Sequence, residues 1–319
     1  MFDTDEPPYA GGSLEAYLEL AQEYYARDDL DRAVRVVEDA FESRGWPPGE
    51  WTEFYNALQC EKDARDASSV YPVDELLSIE LDRTAPRGLR ESIASAALEA
   101  RERVAGVLEV EFARPALITV FLPDAPLEFI SGPHGYVERK RDVDKICLPR
   151  QDVESPREAY SALVHEFAHA AAGALAGEDL PAWMDEGLAE HIEDRADDRQ
   201  SRFIMNSAAR SGRLLSVDAL ESTLGSRDLR VDSPATVEAA YLLARSLIGL
   251  WEAAYLLARS LIGLWVERFG LKSVRRALEL IGEGQSPQSA VRAAAGVSLA
   301  ELERAWRDRL RPRGESRKR

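Results

Sequence analysis

A chain of 319 residues suffices for one large or two modest domains, and 45% hydrophobic with 30% charged residues is an ordinary globular composition. A formal net charge of −17 and an isoelectric point near 4.8 exclude the electrostatic footprint of a nucleic-acid binder. Two well-separated cysteines, Cys60 and Cys147, give neither a disulfide framework nor a Cys-x-x-Cys zinc knuckle, as expected of reduced thiols in the cytoplasm.

Residues 1–12, MFDTDEPPYAGG, are acidic and lack the basic and apolar regions of a secretion signal. They read as a disordered lead. From Ser13 to Ser43, Tyr17, Leu20, Ala21, Tyr24, Ala33, Val37 and Ala40 recur at helical spacing and predict a helical hairpin. This segment resembles one tetratricopeptide (TPR) repeat, and a shift by that repeat's period of about 34 residues lands on Trp51, Phe54, Tyr55 and Leu58. The match then degrades at Asp74. One and a half repeats rarely stand alone, so residues 13–86 read as a TPR-like helical cap on the rest of the chain; the alternative is a docking site for a protein partner. Glu61 to Pro86 is charged without clear periodicity, which sets a domain boundary near Pro86. Leu89 to Val107 predicts a helix, ALITVFL (Ala116–Leu122) a buried strand, and KICL (Lys145–Leu148) a second strand. Between them, Pro126 to Arg141 reads as a loop carrying His134 and Tyr136.

The chemistry concentrates in Ser155 to Asp194, SPREAYSALVHEFAHAAAGALAGEDLPAWMDEGLAEHIED. Ser155-Pro156-Arg157-Glu158 is a capping box with proline at the first helical position. On the helix that follows, His165 and His169 of HEFAH stand one i,i+4 step apart, so both imidazoles project toward one point, as the first two ligands of a tetrahedral Zn²⁺ must. Glu166 is placed to act as general base on an attacking water. A second helix, opened by Pro181, offers Glu186 as a third ligand, and three protein ligands mark a catalytic rather than a structural zinc site. Gly187 would let this helix approach the first closely. Glu190 either accepts the free N–H of a ligating histidine or belongs to a solvated acidic face with Glu193 and Asp194. His134 and His191 read as surface residues.

Beyond Asp194 a polar, arginine-rich stretch to Asp232 reads as a mobile flap, its one apolar part running from Leu214 to Leu220. EAAYLLARSLIGLW then occurs twice without interruption, at Glu238–Trp251 and Glu252–Trp265. Arg245, Glu252 and Arg259 interrupt the apolar run, so a buried helix or helix pair is expected rather than a membrane span. Leu271 to Leu310 predicts two or three helices, one capped by Ser298 with Glu301 as its partner. Residues 311–319 form a short basic tail.

HEFAH followed by LPAWMDEGLAE resembles the gluzincin HExxH metallopeptidases, and most closely the peptidase MA-like group, across about Arg114 to Leu310. Sixteen residues separate His169 from Glu186, slightly fewer than in the aminopeptidase branch, and no GAMEN-like amine-binding motif is present. The resemblance implies a mainly α fold with a small β-sheet (α+β), with a zincin-like metallopeptidase domain at residues 87–310. It also implies Zn²⁺ on His165, His169 and Glu186, Glu166 as base, and a peptide or protein as substrate. KICL becomes the candidate edge strand for substrate backbone, and a tyrosine at the start of the duplicated helix becomes the donor to the oxyanion. Counting from the N-terminal side selects Tyr241; counting back from ERFG selects Tyr255, which aligns without a gap; the alternative is that both are core tyrosines. The competing reading is a non-catalytic protein-binding scaffold with a relic or structural zinc site.

Overall fold

The computed structural model describes residues 13–45, 49–121, 135–193, 203–205, 207–208, 214–225 and 237–310, with residues 44, 50, 53, 178 and 237–252 as backbone alone. The lead at 1–12, the tail at 311–319, His134, Asp194 and most of the expected flap lie outside the described residues. The architecture is mainly α with one five-stranded sheet. The chain groups into two compact units, Met1–Ala97 with Phe112–Ala162, and Leu98–Glu111 with Leu163–Arg319.

In the first unit, α1 (Leu14–Ala26) starts where Ser13 Oγ accepts from the amide of Ala16, and α2 (Leu30–Arg44) starts where Asp29 accepts from that of Arg32. Asp28 between them takes a positive φ of 60°, which turns the chain within three residues and gives the expected hairpin. Ala21, Ala33, Val37 and Phe41 bury their side chains in a cluster with Leu58 of α3 (Glu50–Asp66). The stretch after α3, read as lacking periodicity, holds two strands, β1 (Ser68–Pro72) and β2 (Leu77–Asp82), followed by α4 (Arg87–Leu108). Three more strands complete the sheet: β3 (Ala116–Phe121), β4 (Tyr136–Arg139) and β5 (Asp144–Pro149).

The strand order is β1-β2-β3-β5-β4; β2, β3 and β5 run parallel, and β1 and β4 pair antiparallel at either side. Two expectations are corrected here. KICL lies in β5, but β5 is hydrogen-bonded on both sides and is interior; the edge on its side of the sheet is β4, formed by residues expected to be loop, with Tyr136 opposite Cys147. A buried ionic network ties this sheet to the helices of the unit. Lys145 of β5, fully buried, pairs with Glu61 of α3 and lies 3.5 Å from Asp28. Arg65 bridges Asp28 and Glu80, and the other oxygen of Glu80 accepts from Thr119 at 2.9 Å.

The second unit is helical. α5 (Pro156–Ala176), part of this unit from Leu163 onward, opens with Ser155 Oγ accepting from the amide of Glu158 and donating to its carboxylate at 2.8 Å. α6 (Ala182–Glu193) buries Trp183, Met184, Leu188 and Ile192, and the amide of Trp183, in its first turn and without a helical acceptor, donates to Glu221 of α7 (Val217–Gly225) at 3.3 Å. The duplicated segment forms one continuous helix of 33 residues, α8 (Val237–Phe269), and not a helix pair. Its second copy is core, with Ala254, Leu257, Ala258, Leu261, Ile262 and Trp265 buried. Gly187 does permit a close approach, but to α8 and not to α5: a Cβ there would lie 2.7 Å from the carbonyl oxygen of Ala258 and 2.9 Å from Ile262. α9 (Leu271–Gly282), α10 (Pro287–Ala295) and α11 (Leu299–Leu310) close the unit, with the Ser298–Glu301 capping box formed and Trp306 donating to Ser260 at 3.2 Å. Among the described residues, no helix is long and apolar enough to cross a membrane.

Candidate metal centre

α5 and α6 bring the three expected ligands together. One helical turn sets His165 above His169 on α5, with Nε2 atoms 3.1 Å apart. Glu186, in the first turns of α6, places Oε2 3.7 Å from Nε2 of His165 and 3.5 Å from Nε2 of His169. A tetrahedral ion with bonds of ~2.0–2.1 Å holds its ligands about 3.3–3.4 Å apart, so the triangle has the dimensions of a zinc face. The donor set, two imidazole nitrogens and one carboxylate oxygen, suits the same ion. Oε2 of Glu186 and Oε2 of Glu166 are both buried and have no hydrogen-bond partner among the described residues, an arrangement costly in a protein interior unless a cation or a water meets them.

The imidazole nitrogens turned away from the triangle face carboxylates. Nδ1 of His169 lies 2.8 Å from Oδ1 of Asp185, and Nδ1 of His165 lies 3.3 Å from Oε2 of Glu193. Neither carboxylate was singled out from the sequence as a histidine partner. Glu193 was assigned to a solvated face, yet its side chain is only 1% exposed. The signal was present: at about 100° per residue, Glu186, Glu190 and Glu193 share one stripe of α6. Glu190 joins His165 and Glu193 in a second group of ligand-type atoms, all within 4.8 Å of one another.

The electrostatics are those of a cation site. Burial disfavours charge on His165, but the carboxylates of Glu186 and Glu193 outweigh it and lift the imidazole to about 10. Burial likewise opposes the charge on Glu186, and the imidazoles of His169 and His165 overcome it, holding the carboxyl well below its ordinary range. Glu166 goes the other way, burial pushing it up to about 7. Tyr255, in the buried copy of the duplicated sequence, has its hydroxyl pushed up by burial and then by the charges of Glu186, Glu190, Glu166 and Asp185. It therefore stands within the field of the centre. The side chain of Tyr241 lies outside the described residues; its backbone is fourteen residues earlier on α8, about 21 Å along a straight helix axis. His191 is half-buried, its Nδ1 within 3.8 Å of where a Cβ on Gly263 would stand.

Residues 157–312 match the family model of the Peptidase MA superfamily, which supports a peptidase MA-like family and suggests a peptidase-like function. No curated protein matches the chain.

Proposed function

We propose that this chain is a zinc-dependent metallopeptidase. The observation that carries the reading is the convergence of His165, His169 and Glu186 to within 3.1–3.7 Å of one another, beside a buried Glu166 oxygen with no hydrogen-bond partner. His165, His169 and Glu186 would hold Zn²⁺, which when bound supplies a Lewis acid that polarises a carbonyl and acidifies water. Glu166 is the general base: raised to about 7 by burial, it takes a proton from the attacking water near neutrality and passes it to the leaving amine. Tyr255, rather than Tyr241, donates its hydroxyl proton to the developing oxyanion. Burial, and after it the carboxylates of Glu186 and Glu190, keep that hydroxyl protonated, and Glu190 also stands in an acidic group with His165 and Glu193.

The decisive experiment pairs metal analysis with digestion of a peptide library. Glu166→Gln is expected to retain zinc and lose ~10²–10⁴-fold in hydrolysis, the contribution of a positioned acid–base group. Wild-type protein that takes up no zinc, or a Gln variant that cleaves as well as wild type, refutes the proposal.

A further inference from the structure

The metallopeptidase reading uses both faces of Glu186 and Glu166 but leaves Glu193 unexplained. A carboxylate only 1% exposed, at the last residue of α6, is an expensive group to bury without a partner of opposite charge or a strong donor. Nδ1 of His165 lies 3.3 Å from its Oε2. Along α6, Glu186 and Glu193 are seven residues apart, a rise of about 10 Å, and seven residues bring the helix to within about 20° of two whole turns. The His165 ring fills that interval, with Nε2 toward Glu186 at 3.7 Å and Nδ1 toward Glu193 at 3.3 Å. One helix therefore grips the imidazole at both ends.

We infer that Glu193 is the positioning residue that fixes the orientation and tautomer of His165. With Nδ1–H donating to a buried, immovable carboxylate, the lone pair of Nε2 is left facing the triangle it shares with His169 and Glu186. Asp185 stands in the same relation to His169, its Oδ1 2.8 Å from Nδ1, so each imidazole of the triangle has its own carboxylate. Glu190 also stands near His165, in a group with Glu193 whose ligand-type atoms lie within 4.8 Å of one another, and is the alternative partner that the test must separate from Glu193.

The inference rests on the metal reading above, and the test separates the two. Zinc dissociation constants are measured by chelator competition for wild type, Glu193→Ala, Glu193→Gln and Glu190→Gln, with Co²⁺ substitution to read coordination geometry in the visible spectrum. Loss of the outer partner of a ligating histidine typically weakens metal binding 10–100-fold. Glu193→Ala is expected to fall in that range with a distorted Co²⁺ spectrum. Glu193→Gln, which keeps an acceptor at Nδ1, is expected to recover most of the affinity, and Glu190→Gln to remain within a few-fold of wild type. If the alanine variant fails to fold, the glutamine variant decides: a Co²⁺ spectrum and zinc affinity both nearer to wild type than those of His165→Ala support the role. Zinc bound equally tightly by Glu193→Ala and wild type overturns the inference and leaves the metal centre standing, as does a larger loss in Glu190→Gln than in Glu193→Ala. No zinc bound by wild type overturns both.

Discussion

Gly187→Ala is a one-methyl perturbation whose sign depends on how closely α6 and α8 are packed. In a helix interior, alanine is favoured over glycine by ~1 kcal/mol, so a loosely packed site would gain stability. Here the new Cβ would lie 2.7 Å from the Ala258 oxygen and 2.8 Å from its carbonyl carbon, about 0.7 Å inside the 3.4 Å at which ordinary contact begins (3.4 − 2.7). Both are main-chain atoms of a helix and cannot rotate aside. Overpacking costs ~1–3 kcal/mol, and with a backbone obstacle the upper end applies. Subtracting the propensity gain leaves a net loss of ~2 kcal/mol, which at ~2–4 °C per kcal/mol lowers Tm by ~4–8 °C. Gly106→Ala in α4 is the control, because a Cβ there meets nothing within 4 Å and only the propensity gain remains. Differential scanning fluorimetry of the metal-free proteins is expected to move the two variants in opposite directions. A Gly187→Ala protein that melts at or above wild type would refute the close packing, and with it the placement of Tyr255 beside the centre.

Tyr255→Phe is expected to lower kcat by ~10²–10³-fold with zinc affinity unchanged, the size of a lost oxyanion donor, whereas Tyr241→Phe behaves as wild type. Steady-state kinetics of the pair would reverse the assignment if Tyr241→Phe were the damaging change. In the first unit, Lys145→Met leaves Glu61 without its buried cation, while Asp28 keeps Arg65, and should cost ~3–5 kcal/mol in urea titration. Adding Glu61→Leu should restore most of that loss, and a single variant as stable as the double would show the network to be energetically slack.

Local chemistry made the candidate centre readable. An i,i+4 histidine pair, a capping box at Ser155 and another at Ser298 depend on neighbours within one helical turn, and all formed. What escaped depended on distant partners. Leu77, Ile79 and Leu81 alternate as strand residues should, but the chain between them carries Glu80, whose charge looked like solvent-facing sequence. It is buried because Arg65, fifteen positions away, and Thr119, thirty-nine away, meet it. KICL reads as a strand because Ile146, Cys147 and Leu148 are apolar and Pro149 ends the run, yet whether such a strand is interior or at an edge depends on the four residues of β4, too short and mixed to show a period. Glycine after Glu186 announced a close helix contact without saying with which helix. Glu193 shared its stripe with Glu186, but its burial depends on the imidazole of another helix.

The tandem repeat in α8 has a consequence of symmetry. Because the two fourteen-residue segments are identical, cutting out either one leaves the same polypeptide, and in that shorter chain one tyrosine, one tryptophan and one serine would take the seats that Tyr255, Trp265 and Ser260 now occupy. The surplus is thus carried as length, about 21 Å of additional rod, and the contacts around Ala258 and Gly187 are those an unduplicated helix would make.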